Sequence, residues 1–293
     1  MSIHLSHRRK AFRGGAGGYI VDDYSPEAAY SLREVASAYV GVDIVEVLRS
    51  SDSARSYFTA TEITDGTLTT WVGAGNDGRV VTLVDQTGSG NDLIPTGGID
   101  KPRIVISGSL VTDGGLPSMD YAGATENSVQ LRTLATNSWL SGSDFSVFCV
   151  ANANSATRTQ YIWANNVTVT GQKRSLIGIS SNQLNIVFWG TNVNLGSWTA
   201  GNQSLTSTIG TNMLTGESHS VDLWVDGSAQ TGWSGTGKTT PASSQFVLGE
   251  RVAGSGANQD FDGKIAECIV FASDQTSNRS AIDSNITTHY GIT

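Results

Sequence analysis

The sequence is short of the residues that announce most chemistries. It holds two cysteines and four histidines in 293 residues. Cys149 and Cys268 lie in apolar runs, FSVFCVA and IAECIVF, so they are expected to be buried free thiols, with a disulfide as the lesser alternative. His4, His7, His219 and His289 show no metal-ligand spacing, and there is no C-x-x-C pair and no G-x-S-x-G elbow. No apolar run approaches the roughly 18 to 20 residues that cross a bilayer, which argues against membrane insertion. HRRKAF is followed by glycines and not by an apolar stretch, so no secretory signal is read. The Asn-x-Ser/Thr sequons at Asn166, Asn202, Asn278 and Asn285 are therefore expected to stay unmodified.

Charge is also scarce, at 15% of residues, and it is unevenly placed. Residues 1–18 carry Arg8, Arg9, Lys10 and Arg13 with no acid, so the remainder bears −12 against −8 for the whole chain. An acidic body repels phosphate backbones, which excludes nucleic acid as a partner of the main domain. The Gly-rich basic arm, ending in the flexible spacer GGAGG, could itself touch nucleic acid or dock as an anchor on an acidic protein.

What is abundant is glycine, 34 residues, among many Ser, Thr and Asn. This suits short strands joined by turns. Strand patterns recur at IVEVLR, VVTLVD, RIVIS, FSVFCVANA, RSLIGIS, LNIVFWG, HSVDLWVDG, QFVLGER and KIAECIVF. Two helices are expected. One follows Ser25 and Pro26, with Ala29, Leu32, Val35, Ala36 and Tyr39 at helical spacing before Gly41; the other carries Ile282, Ile286 and Tyr290 before Gly291. Residues 19–293 thus form one all-β two-sheet sandwich with an N-terminal and a C-terminal helix.

The stretch DQTGSGND, residues 85–92, runs straight out of a strand and admits several roles. It lacks the G-x-x-x-x-G-K-[ST] pattern of a phosphate loop. Asp85, Asn91 and Asp92 could approach a Ca2+ ion, whose oxygen ligands often come from such loops. The stronger reading is a turn in which Asp and Asn bond the backbone and the glycines take positive φ; no cofactor is otherwise expected. Trp198 in GSWTAGN and Trp233 in TGWSGTG lie in Gly/Ser stretches where an indole face can stay open. With Asn202 beside them they are the candidate saccharide contacts. Trp189 and Trp224 fall within strands and are read as core.

AAYSLREVASAYVG, VLRSSDSA, VTLVDQTGSGNDL and KPRIV together resemble the first half of the catalytic domain of fungal α-L-arabinofuranosidase B, a concanavalin A-like jelly roll. HSVDLWVDG, FVLGERVAGSGANQDFDGKIAECIVF and the final SDQTSNRSAIDSNITTHYGI resemble the closing strands and helix of laminin-G-like modules. The combination is similar to that found in structural proteins of tailed bacteriophages. The resemblance implies a virion protein assembled in the host cytoplasm: a capsid decoration, head fibre or tail fibre. Residues 1–18 would hold other virion proteins, and a lectin-like head, as a homo-oligomer, would meet host-surface polysaccharide.

The family's nucleophile is a Glu in a Glu-Asn-Gly stretch entering an aromatic strand, beside two adjacent cysteines. Here the matching stretch is Leu184-Asn185-Ile186, and Cys149 and Cys268 are far apart along the chain. With both landmarks missing, the expectation is a non-enzymatic protein. The alternatives are a glycoside hydrolase of the arabinofuranosidase type and a free bacterial carbohydrate-binding module.

Overall fold

The computed structural model describes residues 18–95, 100–122, 129–140, 144–166, 175–188, 191–213, 218–236, 245–250 and 260–293. The arm residues Arg8, Arg9, Lys10 and Arg13, and Trp189, lie outside the described residues. The principal elements are α1 Ile20–Tyr24, β1 Ala28–Ser31, β2 Asp43–Arg49, β3 Gly78–Leu83, β4 Leu131–Thr133, β5 Phe145–Ala153 and β6 Gln160–Asn166. They continue with β7 Ser175–Ser180, β8 Gln183–Phe188, β9 Thr191–Ser197, β10 Ser204–Thr211, β11 Ser218–Val225, β12 Gln245–Leu248, β13 Gly263–Phe271 and α2 Arg279–Tyr290.

Antiparallel pairing sets β11, β10, β5, β13 and β1 side by side. A second run places β4, β12, β6, β7, β8 and β9 in order. Strand β3 pairs with β2 and joins the two runs, reaching β4 through Leu93–Ile94 and β13 through Arg103–Ile106 and Met119–Asp120. Every residue of β5 is buried, because this strand is covered on both faces. Val147, Cys149 and Ala151 look into the core shared by the two runs, whereas Phe148 and Val150 look out beneath the helices. Aromatic rings bridge the core: Tyr30 stacks on Phe246 at 6.4 Å, Phe246 on Trp163 at 6.2 Å, and Phe145 meets Trp163 edge-on at 6.4 Å.

Helix α2 forms as its sequence pattern predicts. Ile282, Ile286 and Tyr290 are buried against Phe148, Val150, Ile269 and Phe271, and Gly291 closes the helix in the left-handed region at φ 66°. The N-terminal helix is displaced from its expected position. It occupies Ile20–Tyr24, and the predicted helical stretch instead holds strand β1 and one 3-10 turn, Ser37–Tyr39. Ala28 and Tyr30 enter the inter-sheet core while Ala29 enters the outer cluster, so the stretch is buried with a period of two. Tertiary pairing with β13 has overridden local helix propensity.

The cysteines, distant along the chain, are direct cross-strand neighbours on β5 and β13. Both are buried free thiols. Burial pushes the Cys268 thiol well above its ordinary value, with the adjacent Cys149 adding to the effect, so this sulfur is held in its unreactive form.

Candidate functional site

The loop DQTGSGND is consumed in holding β1. Asp85 Oδ1 accepts from the Ala29 amide at 3.0 Å and the Thr87 amide at 3.1 Å, and Oδ2 accepts from the Thr87 hydroxyl at 2.8 Å. Gln86 Oε1 accepts from the Val35 amide at 2.9 Å, while Nε2 donates to the carbonyls of Ser31 and Arg33 at 3.1 and 2.8 Å. Asp92 Oδ1 accepts from the Asp85 amide at 2.9 Å, and the Asn91 carbonyl accepts from the Tyr30 hydroxyl at 2.6 Å. Gly88 and Gly90 take positive φ. N–H and O–H donors present their positive ends where a Ca2+ ion would need to sit, so Asp85, Asn91 and Asp92 do not fit a calcium cage.

Trp198 and Trp233 differ from the open platforms expected of them. Trp198 is 4% exposed and belongs to the core, because its backbone amide donates to the Asn182 carbonyl at 3.0 Å and draws the segment after β9 inward. Trp233 opens a short strand, Trp233–Thr236, that pairs with β11, and its half-buried ring packs on the core and over Gly235. Trp224, expected in the core, is half-buried, with the Arg279 guanidinium 4.5 Å above its ring.

Trp198 and Asn202 nevertheless meet at one cleft of about 470 Å³, and Trp233 is not among its lining residues. That volume falls within the range of small-ligand sites. Four segments supply the walls: the β9–β10 connection with Trp198, Asn202 and Gln203; Ser204 opening β10; Asp226 after β11; and the tip of a hairpin carrying Asp113 and Gly114. The end of α2 closes the cleft through Tyr290 and Gly291.

Local sequence explains each placement. Asp226 and Gly227, both at positive φ (50° and 76°), link Val225 to Ser228 as a two-residue hairpin turn, for which Asp-Gly is a favoured pair. Asp226 Oδ1 then accepts from the Leu205 amide at 2.7 Å. Gly114, at φ 56°, lets the second hairpin approach: a Cβ there would come within 3.1 Å of Gln203 Oε1. Asp113 Oδ1 accepts from Asn152 Nδ2 at 2.9 Å.

The electrostatics of the cleft are acidic. Partial burial raises the carboxyl of Asp226 above its ordinary value, against the hydrogen bonds from Leu205 and Ser204 that lower it. Behind it, Asp283 is raised as well, first by burial, with the charge of Asp226 adding to the shift. Asp283 accepts from the Ser207 hydroxyl at 2.6 Å and pairs with Arg279.

Two of the lining residues, Trp198 and Gln203, carry a buried polar atom with no hydrogen-bond partner among the described residues, Nε1 and Nε2, and so does Asn152, through Oδ1, behind Asp113. Such atoms are uncommon in a folded interior and each calls for a water, an ion or a ligand group. The neighbouring cleft of about 360 Å³, lined by Arg33, Thr61, Leu116 and His289, behaves differently. Its chief charge, Arg33, is locked on the buried Glu267 at 2.7 and 3.0 Å and on Asn285 at 2.9 Å.

Asp113, Asp226, Gln203 and Asn152 were not singled out from the sequence. The Asp226-Gly227 turn carried a local signal, but the convergence of four separate segments carried none.

No protein-family model and no curated protein matches the chain. Solved structures do. A GH54 α-L-arabinofuranosidase soaked with a cyclic sulfate inhibitor superposes with a TM-score of 0.64 at 15% identity, over 88% of this chain and 62% of that one. An arabinofuranosidase complexed with arabinofuranosyl-α-1,2-xylobiose gives 0.62 at 15% identity, with the same coverage of 88% and 62%. A Trypanosoma rangeli sialidase with 2,3-difluorosialic acid gives 0.51 at 12% identity, over 87% of this chain and 34% of that one.

The chain thus spans about three fifths of the length of the arabinofuranosidases, at 62%. At these identities the likeness establishes the fold, an all-β sandwich of the kind seen in glycoside hydrolases. The expectation of a non-enzymatic protein is corrected here. Structures that share this fold over most of the chain include glycosidases bound to inhibitor or sugar, so a missing Glu-Asn-Gly landmark gives no ground for excluding hydrolysis.

Proposed function

We propose that the protein binds carbohydrate in the cleft formed by Trp198, Asn202, Gln203, Asp113 and Asp226. One observation carries this reading: Trp198 and Gln203, whose side-chain donors Nε1 and Nε2 have no partner among the described residues, line one small cleft together with the carboxylate-bearing Asp113 and Asp226. Sugar hydroxyls donate and accept at once, so a saccharide can meet both kinds of group, which an apolar ligand cannot. The sugars and sugar analogues named in the complexes that share this fold support the same class of ligand. Titrating the full chain with neutral and charged oligosaccharides tests it. Binding should weaken in Gln203→Ala and Asn202→Ala while the melting temperature holds; no measurable binding of any saccharide overturns it.

The finer reading places this head on a bacteriophage virion, joined to other virion proteins by residues 1–18. Support comes from the opposite charge of arm and body. A single shallow site binds weakly, and many copies on one particle would raise the effective affinity. Deleting residues 1–18 should leave a folded head that no longer joins its particle; full incorporation of the truncated chain overturns this reading.

A second reading is hydrolysis of arabinofuranosides. It rests on Asp226, which burial holds toward its protonated form, lining the same cleft as a second carboxyl, Asp113. A pair of carboxyl groups, one able to give a proton to the departing oxygen, is what glycosidic cleavage requires. Release of the leaving group from an aryl arabinofuranoside, lost in both Asp226→Asn and Asp113→Asn, would favour it.

A further inference from the structure

Resting on the carbohydrate reading of this cleft, we propose that its preferred saccharide carries a free, protonated amine, as a 2-amino-2-deoxyhexose does. Two carboxylates, Asp113 and Asp226, lie on the walls, and among the described residues no Lys, Arg or His lines them. Of the cations nearby, Arg279 is held between Asp283 and the face of Trp224, and Lys264 donates to the Thr112 carbonyl at 2.8 Å, one residue before Asp113, without lining the cleft.

The protein donors on the cleft carboxylates are few: the Leu205 amide and Ser204 for Asp226, and Asn152 Nδ2 for Asp113. A carboxylate has room for about four hydrogen bonds, so accepting capacity remains on both. An ammonium fills it with charge-assisted hydrogen bonds, stronger than those a hydroxyl or an acetamide makes. A uronic or sialic acid would bring a third carboxylate to the same walls and be repelled. The unpartnered Trp198 Nε1 and Gln203 Nε2 serve the uncharged oxygens of the same ring. The remainder of the chain, at −12 beyond the basic arm, draws a cationic sugar toward the surface without directing it to a place.

The test titrates the full chain by calorimetry at about pH 6, below the usual range for an amine, so that the sugar is cationic. The probes are a β-1,4-linked glucosamine tetramer, its N-acetylated counterpart and a uronic acid tetramer. The glucosamine tetramer should bind about tenfold tighter than the N-acetylated one, with the uronic acid weakest. Asp226→Asn and Asp113→Asn should each lower the amine-to-acetamide ratio about threefold or more, in variants whose melting curves show a folded chain. Asparagine tolerates the left-handed turn of Asp226 and retains an oxygen for the Leu205 amide. Asp23→Asn, an exposed acid far along the chain, should leave the ratio unchanged. If all three variants lower it equally, the attraction is diffuse and the proposal is overturned. Saccharides that bind without preference for the amine also overturn it and leave the carbohydrate reading standing. If none binds, that reading falls and takes this inference with it.

Discussion

The loop after β3 and the loop after β9 are built from the same kinds of residue, and their polar groups end in opposite states. In the first, Asp85 and Gln86 are engaged by backbone groups of Ala29, Ser31, Arg33 and Val35, Asp85 also by the Thr87 hydroxyl, and Asp92 by the Asp85 amide. In the second, Trp198 Nε1 and Gln203 Nε2 have no partner among the described residues, and both residues line a cleft shared with two carboxylates. Local chemistry alone does not make a site. What separates the two is whether the fold supplies the complementary groups itself or leaves them to a ligand.

The comparison is broken most forcefully at Asp85. Asp85→Ala strands the buried Ala29 amide and the Thr87 amide together, and should cost about 2 to 4 kcal/mol by denaturant unfolding, with saccharide binding per folded molecule unchanged. A loss of binding without a loss of stability would mean that the first loop, not the second, is the site.

Trp198→Phe is expected to cost about 1 kcal/mol. It removes a buried donor that has no partner and some ring volume, two effects of opposite sign. Saccharide affinity should fall about fivefold or more even so. Gln203→Met should change stability by less than about 0.5 kcal/mol, because an amide whose nitrogen is unpaired is exchanged for a thioether chain of similar shape, while binding again weakens. Were either variant to unfold while binding per folded molecule held, the unpartnered atoms would have no connection to a ligand.

The parts of this fold that were legible in the sequence are those whose burial follows their own periodicity. Ile282, Ile286 and Tyr290 stand four apart and are buried together, and the strand around Cys149 is apolar throughout because both of its faces are covered. The stretch from Pro26 to Tyr39 misled because Ala, Leu and Val at helical spacing favour a helix in isolation. Its amides are instead held extended by Asp85 and Gln86, more than 50 residues away. The cleft was only half legible. Asn202 lines it and Trp198 is part of its wall, but Trp198 is buried where a Gly/Ser context suggested exposure, and Trp233 lies elsewhere. Asp113 and Asp226 are brought together by two hairpin turns separated by more than 100 residues, a relation that no window of sequence contains.

The smallest effect is the most diagnostic, because its sign depends on pH. Burial is the main cause that raises the carboxyl of Asp226 in the folded protein. In the unfolded chain this group titrates near the ordinary value of about 3.9. Between that value and its higher folded value, the native state holds the proton that the unfolded state has released. Stability therefore declines as pH rises through that window, and the deficit persists above it. Asparagine does not titrate. Asp226→Asn should match the wild type in melting temperature at low pH, then rise above it as pH crosses the window, and keep a constant advantage beyond it. In the presence of a cationic sugar the order should reverse, since the wild-type carboxylate then gains the partner that its burial withholds. A variant that melts lower than the wild type at neutral pH without ligand would show that the charge of Asp226 is held by the fold, as that of Asp85 is, and would remove the contrast between the two loops.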